Sequence, residues 1–231
     1  MANVVENVYT RKDIKKFLPK YDNPNYDFHH IKTPFMGAIV ASTGGGKTNL
    51  LCNLIRAMNN TFDKIYVATQ EQEPLYEYLK DKLKDGISIV YDLKDMPDLT
   101  KFKENSKDSQ FLFVFDDQNK VKDQHYIETC YKRARKLGIS CLYLSQSFYD
   151  IPIFIRKNLH YLLLLKIAGT RDLKSILQTF NLGMDVQQLL KLYKTSTQEA
   201  FNFLKIDLKT NDDNKKFSHN WNEFFDVTTT S

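Results

Sequence analysis

The stretch MGAIVASTGGGKTNLL, residues 36–51, opens as an apolar run, turns through three consecutive glycines and continues into TNLLCNLIRAM. Apolar side chains at 50, 51, 54, 55 and 58 recur at helical spacing, and a short apolar run ended by glycines is strand-like. The stretch therefore predicts a strand, a glycine loop and a helix. Within it, Ala41-Ser-Thr-Gly-Gly-Gly-Lys47-Thr48 fits the phosphate-binding loop, with alanine in place of the leading glycine. A loop between a strand and a helix aims backbone N–H groups and the positive end of the helix dipole at an anion. Ser42, Thr43, Gly44, Gly45, Gly46, Lys47, Thr48 and Asn49 are accordingly the candidate nucleotide-binding residues. Lys47 can reach the β and γ oxygens of a nucleotide such as ATP, and the Thr48 hydroxyl is a candidate Mg²⁺ ligand.

Outward from this stretch the alternation repeats. KIYVAT (64–69) and ISIVYDL (87–93) read as strands, with a helical EPLYEYLKDKL (73–83) between them. FLFVF (111–115) is a more apolar strand, Val121 to Leu137 reads as a helix closed by Gly138, and ISCLYLS (139–145) is another strand. A helical turn near Ile151–Asn158 leads to the strand YLLLLKI (161–167). Two helical patterns follow, RDLKSILQTF and MDVQQLLKLYK, then a strand-like AFNFLKIDL (200–208). Continuously apolar strands alternating with helices imply a mostly parallel sheet covered on both faces, an α/β fold. The expected organisation is an N-terminal arm (1–35) with a short helix at Asp13–Phe17, a core (36–208), and a polar tail (209–231) that docks through Phe217, Trp221, Phe224 and Phe225.

A nucleotide site needs a second element to hold the metal and prepare a water. FLFVFDD places Asp116 at the C-terminal edge of the sheet, where open α/β folds bind ligands. Asp116 is the candidate Mg²⁺ ligand and Asp117 the candidate general base. Gln146, at the end of another apolar strand, can hydrogen-bond both a γ-phosphate and an attacking water. The run Lys132-Arg133-Ala-Arg135-Lys136 closes a predicted helix. It either complements the negative end of the helix dipole or supplies Arg133 or Arg135 as a finger to a neighbouring subunit, with Arg156 a further candidate. Asn119-Lys-Val-Lys-Asp123 has one residue too many for the guanine-reading pattern of GTPases, and His29 and His30 are read as solvent-facing residues of the arm.

Composition agrees with this assignment without deciding it. Hydrophobic residues make up 42% and aromatics 13% of the 231, enough to exclude a disordered polymer. A net charge of +5 permits a polyanionic partner but does not require one. The three cysteines lie in apolar segments and are odd in number, which argues against a secreted disulfide framework and for a reducing, intracellular setting. Their spacing with His125 is not that of a zinc site. No apolar run approaches a bilayer span of about 20 residues, so a soluble protein is expected.

Three segments together carry a family resemblance: GAIVASTGGGKTNLL, FLFVFDDQ and CLYLSQSFYDIPIFIRKNLHYLLLLK. They resemble the DNA-packaging ATPases of poxviruses, other large DNA viruses and virophages, a branch of the FtsK–HerA superfamily. The likeness spans roughly residues 36–206. It implies a RecA-like P-loop NTPase sheet with the Ser145–Gln146 strand between the phosphate-loop and Asp116 strands, and a homo-oligomeric ring. It further implies ATP-driven movement of double-stranded DNA into a capsid, contact with capsid proteins, and residence in the host cytoplasm, viral factory or virion. Two positions depart from the pattern: Ala41 replaces a glycine, and Asp117 stands where many cellular relatives carry glutamate. From the residues alone, a P-loop kinase of a nucleoside or other small molecule, or a nucleotide-dependent scaffold, stays open.

Overall fold

The computed structural model describes residues 6–102, 109–122 and 124–226. The first five residues of the arm, the last five of the tail and Asp123 lie outside them. In chain order the elements are α1 (Lys12–Lys15), α2 (Tyr26–His29), β1 (Met36–Val40), α3 (Lys47–Ala57), β2 (Lys64–Ala68) and α4 (Pro74–Leu83). There follow β3 (Ile87–Val90), β4 (Phe111–Asp116), α5 (His125–Arg133), β5 (Ile139–Ser145), α6 (Ile153–Asn158) and β6 (Tyr161–Leu164). The chain ends with α7 (Arg171–Thr179), α8 (Val186–Ser196), β7 (Leu204–Asp207), β8 (Phe217–His219) and β9 (Glu223–Phe224).

The nine strands of the described residues form one sheet in the order β3-β2-β4-β5-β1-β6-β7-β8-β9. The six strands from β3 to β6 are parallel, as their apolar runs predict, and β7, β8 and β9 add antiparallel to one edge. β5 lies between β1 and β4, the order implied by the family resemblance. Its seven residues are all buried, the consequence of a central strand with helices on both faces.

The period of two splits each strand between two cores. Ala38, Val40, Phe113, Phe115 and Tyr143 face Ile127, Ile155, Leu173 and Leu189, on the side of α5, α6, α7 and α8. Ile39, Leu112, Val114, Leu142 and Leu144 face Leu51 and Leu54 of α3 and Tyr76 and Leu79 of α4. Burying a large aliphatic or aromatic side chain is worth about 1.5–3 kcal/mol, so the two faces dominate the stability.

The departures from the sequence reading are local. α5 begins at His125 rather than at residue 121, because residues 118–120 form a turn of 3₁₀ helix directly after Asp117. The last strand of the core begins at Leu204 rather than at residue 200, since Phe201 adopts φ = 67° and breaks the extended run. The segment read as a tail supplies β8 and β9, with Phe217 fully buried. His29 is also fully buried, contrary to a solvent-facing reading. Its Nδ1 accepts from the Ile31 N–H at 2.9 Å and its Nε2 lies 3.1 Å from Asn23 Oδ1, which fixes a neutral ring.

Lys205 is the least expected core residue. It is 1% exposed and donates from Nζ to the backbone carbonyls of His29, at 2.9 Å, and of Trp221. One ammonium on β7 thereby ties the arm and the C-terminal segment to the same sheet edge. Burial pushes its pKa down to about 8.

Candidate active site

A cleft of about 480 Å³ opens at the C-terminal edge of the sheet, over the ends of β1, β2, β4 and β5. Its floor is the loop between β1 and α3. Ser42 anchors the loop's start, donating from its N–H and its hydroxyl to the Lys166 carbonyl at 2.9 and 3.0 Å. The hydroxyl is thus turned onto β6's end, and Ser42 does not line the cleft, unlike Thr43 to Asn49. A Cβ on Gly45 would stand 2.8 Å from the Ser42 carbonyl oxygen, and Gly46 has φ = 92°, so both positions need glycine. The first helical bond of α3 is Leu50 N–H to Gly46 O, which leaves the N–H groups just before it turned toward the cleft without intrahelical acceptors. That is an anion cradle.

The acids come from β4. Asp116 is 8% exposed and accepts from the Tyr76 hydroxyl at 2.5 Å through Oδ2, while its buried Oδ1 has no hydrogen-bond partner. Burial raises its pKa to about 6, against the stabilising Tyr76 bond and with a further upward push from Asp117. Asp117 takes the left-handed conformation, φ = 47°, which an aspartate tolerates, and its N–H donates to the Leu144 carbonyl. That turn swings its carboxylate toward the loop. Oδ2 lies 3.2 Å from Lys47 Nζ and accepts from Gln146 Nε2 at 3.2 Å. Gln146 Oε1 in turn accepts from the Thr43 hydroxyl at 3.0 Å. Four of the sequence-selected residues, Thr43, Lys47, Asp117 and Gln146, thus form one connected set across β1, β4 and β5.

Glu73, Gln118 and Phe201 escape the sequence reading. Thr48 is 7% exposed and its hydroxyl donates to Glu73 Oε2 at 2.5 Å. Glu73, with Thr69 and Glu71, lines the wall beyond β2. A carboxylate just after a strand's C-terminal end and before Pro74 is the one signal that could have found it. Gln118, 2% exposed, donates to the Ala68 and Asp116 carbonyls at 3.3 and 3.0 Å and fastens the acid turn to β2. Phe201 lines the opposite wall.

The three arginines are not brought to the cleft within one chain. Arg133 ends α5 and Arg135 lies in the following turn, which enters β5 at its N-terminal end. They sit at the other edge of the sheet, roughly 20 Å of strand away from the phosphate loop. Arg156 donates from Nη1 to the Ser175 hydroxyl at 3.2 Å and lies over the rings of Phe148 and Tyr149.

A divalent cation fits the donors present. Asp116 Oδ1 is a buried oxygen without a protein donor, and Thr48 Oγ1 stands at the start of α3. Mg²⁺ needs only one or two protein oxygens beside phosphates and water. Among the described residues no cluster of three or more His, Cys, Asp or Glu side chains is placed to hold a metal by itself. None of the described helices is long and apolar enough to cross a membrane.

Similar folds occur in solved structures. The B204 DNA-packaging ATPase from Sulfolobus Turreted Icosahedral Virus superposes with a TM-score of 0.56 at 14% identity, over 86% of this chain and 98% of that one. The genome packaging NTPase B204 from Sulfolobus turreted icosahedral virus 2, solved with AMPPCP, gives 0.58 at 16% identity, over 82% and 98%. The cytoplasmic domain of the Thermomonospora curvata Type VII secretion ATPase EccC gives 0.53 at 11% identity, over 81% of this chain and 25% of that one. These likenesses establish the P-loop ATPase fold. No curated protein sequence is significantly similar. The profile of the poxvirus A32 protein family matches residues 25–207, from just before α2 within the arm to the end of β7, and the chain belongs to that family.

Proposed function

We propose that this protein is an ATP-hydrolysing motor that moves double-stranded DNA to package a viral genome. The observation that carries the reading is the convergence of Lys47, Asp117, Gln146 and Thr43 on the mouth of the phosphate loop, with Asp116 buried beside them. Family membership and the packaging NTPases of like fold supply the DNA and the capsid as partners. They do not favour the small-molecule kinase.

Each residue then has a separate task. Backbone N–H groups of residues 46–49 hold the phosphates, and Lys47 neutralises charge that develops on the transferred group. A bound Mg²⁺ would supply positive charge to offset that of the phosphates. Thr48 and Asp116 would hold it. Asp117 uses Oδ2 for both Lys47 and Gln146, which leaves Oδ1 to take a proton from the attacking water. Gln146 links the γ-phosphate position to Asp117 and Thr43, so it registers whether the γ-phosphate is present. Arg133 or Arg135, remote from their own cleft, serve a neighbour's in a homo-oligomeric ring. Arg156 is the weaker donor because Ser175, Phe148 and Tyr149 already hold it.

The decisive experiment measures ATP turnover with and without duplex DNA of mixed sequence. Turnover is expected to rise with DNA, and the stimulation to fall steeply with salt, because the sugar-phosphate backbone is the only feature common to every sequence. Turnover indifferent to DNA at low salt would remove the motor reading while leaving the nucleotidase.

A further inference from the structure

The cleft has two unlike walls. The acids, Gln146 and Glu73 all lie on the side of β1 that leads to β5, β4 and β2. On the other side, beyond β6, the wall is Phe201, in the turn that enters β7. A nucleotide whose γ-phosphate meets Asp117 and Gln146 must leave the loop with its base toward that second side.

Phe201 is built unlike a packing residue. Its side chain is 58% exposed, and it belongs to neither core. It is also held at φ = 67°, a region that bulky residues avoid. Two positions on, Phe203 is 3% exposed and packs on Trp221 with ring centroids 4.9 Å apart. The backbone reversal at Phe201 therefore sends one ring inward and the other out over the loop. The outward ring is close-fitted to its place, since a Cβ added to Gly46 would stand 2.7 Å from Phe201 Cδ1.

The turn is braced rather than loose. Asn220 accepts from the Phe203 N–H at 3.1 Å through Oδ1, donates its own N–H to the Phe203 carbonyl at 2.9 Å, and donates from Nδ2 to Asn202 Oδ1 at 3.2 Å. Lys205 holds the neighbouring Trp221 carbonyl. The C-terminal segment thus fixes the orientation of a solvent-facing ring beside a phosphate cradle.

We infer that Phe201 is the platform on which the nucleotide base stacks, held in place by Asn220 of the C-terminal segment. The inference rests on the nucleotide reading of the cleft. It adds that binding is shared between two walls, phosphates on one and base on the other. Losing a stacked aromatic ring is expected to cost roughly ten-fold in affinity, about 1.4 kcal/mol.

The test compares ATP with inorganic tripolyphosphate, both with Mg²⁺, on wild type, Phe201→Ala and Phe201→Trp. Phe201→Ala is expected to weaken ATP about ten-fold and leave tripolyphosphate unchanged, raising KM with little effect on kcat. Phe201→Trp should restore ATP affinity, with indole fluorescence quenched by ATP but not by tripolyphosphate. Equal weakening of both ligands by Phe201→Ala would mean that the ring only shapes the loop, and no weakening of either would dismiss the platform outright. Wild-type protein that binds neither ligand would overturn the nucleotide reading and the platform with it.

Discussion

The two halves of the sheet solve different problems with different materials. From β3 to β6 the strands are parallel, nearly all apolar, and end at one edge where loop after loop delivers a polar side chain to the cleft. From β7 to β9 they are antiparallel and short, and are organised around a buried ammonium and a set of rings. Parallel strands need long crossovers, and each crossover passes the same edge, so chemistry accumulates there. The antiparallel half has no such edge and instead gathers residues 28–30 of the arm and the C-terminal segment. Lys47 and Lys205 show the contrast: one lysine is placed for a ligand's charge, the other for backbone carbonyls.

The sharpest way to break this division is to exchange the consequences of the two lysines. Lys47→Ala should reduce ATP turnover by at least about 10³-fold, while the melting temperature stays near that of wild type, since the loop contributes little to either core. Turnover measured beside a thermal melt checks this. A folded Lys47→Ala protein with wild-type turnover would remove the phosphate-loop assignment.

Within the parallel half, the two aspartates should separate. Asp117→Asn should slow hydrolysis by about 10²–10⁴-fold with nucleotide still bound, as loss of a general base does. Asp116→Ala should act first on affinity for the Mg²⁺ nucleotide. Titration calorimetry with single-turnover kinetics distinguishes them, and identical profiles would mean the roles are misassigned.

In the antiparallel half the expected effects are smaller and fall on stability. Lys205→Met removes the donor to the His29 and Trp221 carbonyls and should destabilise the fold by about 1–3 kcal/mol at neutral pH with turnover per folded molecule retained. The pH dependence gives the sign. Lys205 is depressed from about 10.5 to about 8, so its charged form costs stability at pH 8 and below, and that cost fades between about pH 8 and 10.5. The gap between wild type and Lys205→Met should therefore vary with pH across that window, in denaturant melts. On the acid side, burial lowers His29 and His160 to about 4, with Lys205 also opposing charge on His29. Their contribution is present above about pH 6.5 and is lost as pH falls through 4. A melting temperature flat from pH 7 to 4 would contradict the neutral, acceptor role of His29.

How far each half was legible follows from the same contrast. Apolar runs such as FLFVF and ISCLYLS declare buried parallel strands by themselves, and the glycine loop, Asp116, Asp117 and Gln146 stand at their ends, where chemistry is expected. Glu73, Tyr76 and Gln118 were not legible, because their partners are set by sheet order and crossover geometry rather than by spacing along the chain. The antiparallel half hid for another reason. In FLKIDL a lysine between apolar neighbours reads as the outward residue of an edge strand, yet Lys205 points into a core that the arm closes over it. Phe201 was hidden too, since nothing in Ala-Phe-Asn marks a positive φ.

The hydroxyl of Tyr76 limits what Asp116 can offer. With Oδ2 engaged by the phenol at 2.5 Å, Oδ1 is the oxygen of the carboxylate that has no donor, so Tyr76 favours monodentate contact with a cation. Calcium favours six to eight oxygens and readily takes both from one carboxylate, whereas magnesium, smaller and reluctant to shed water, is content with one. A buried phenol on α4 thus weights the carboxylate toward the smaller ion, without needing to touch it.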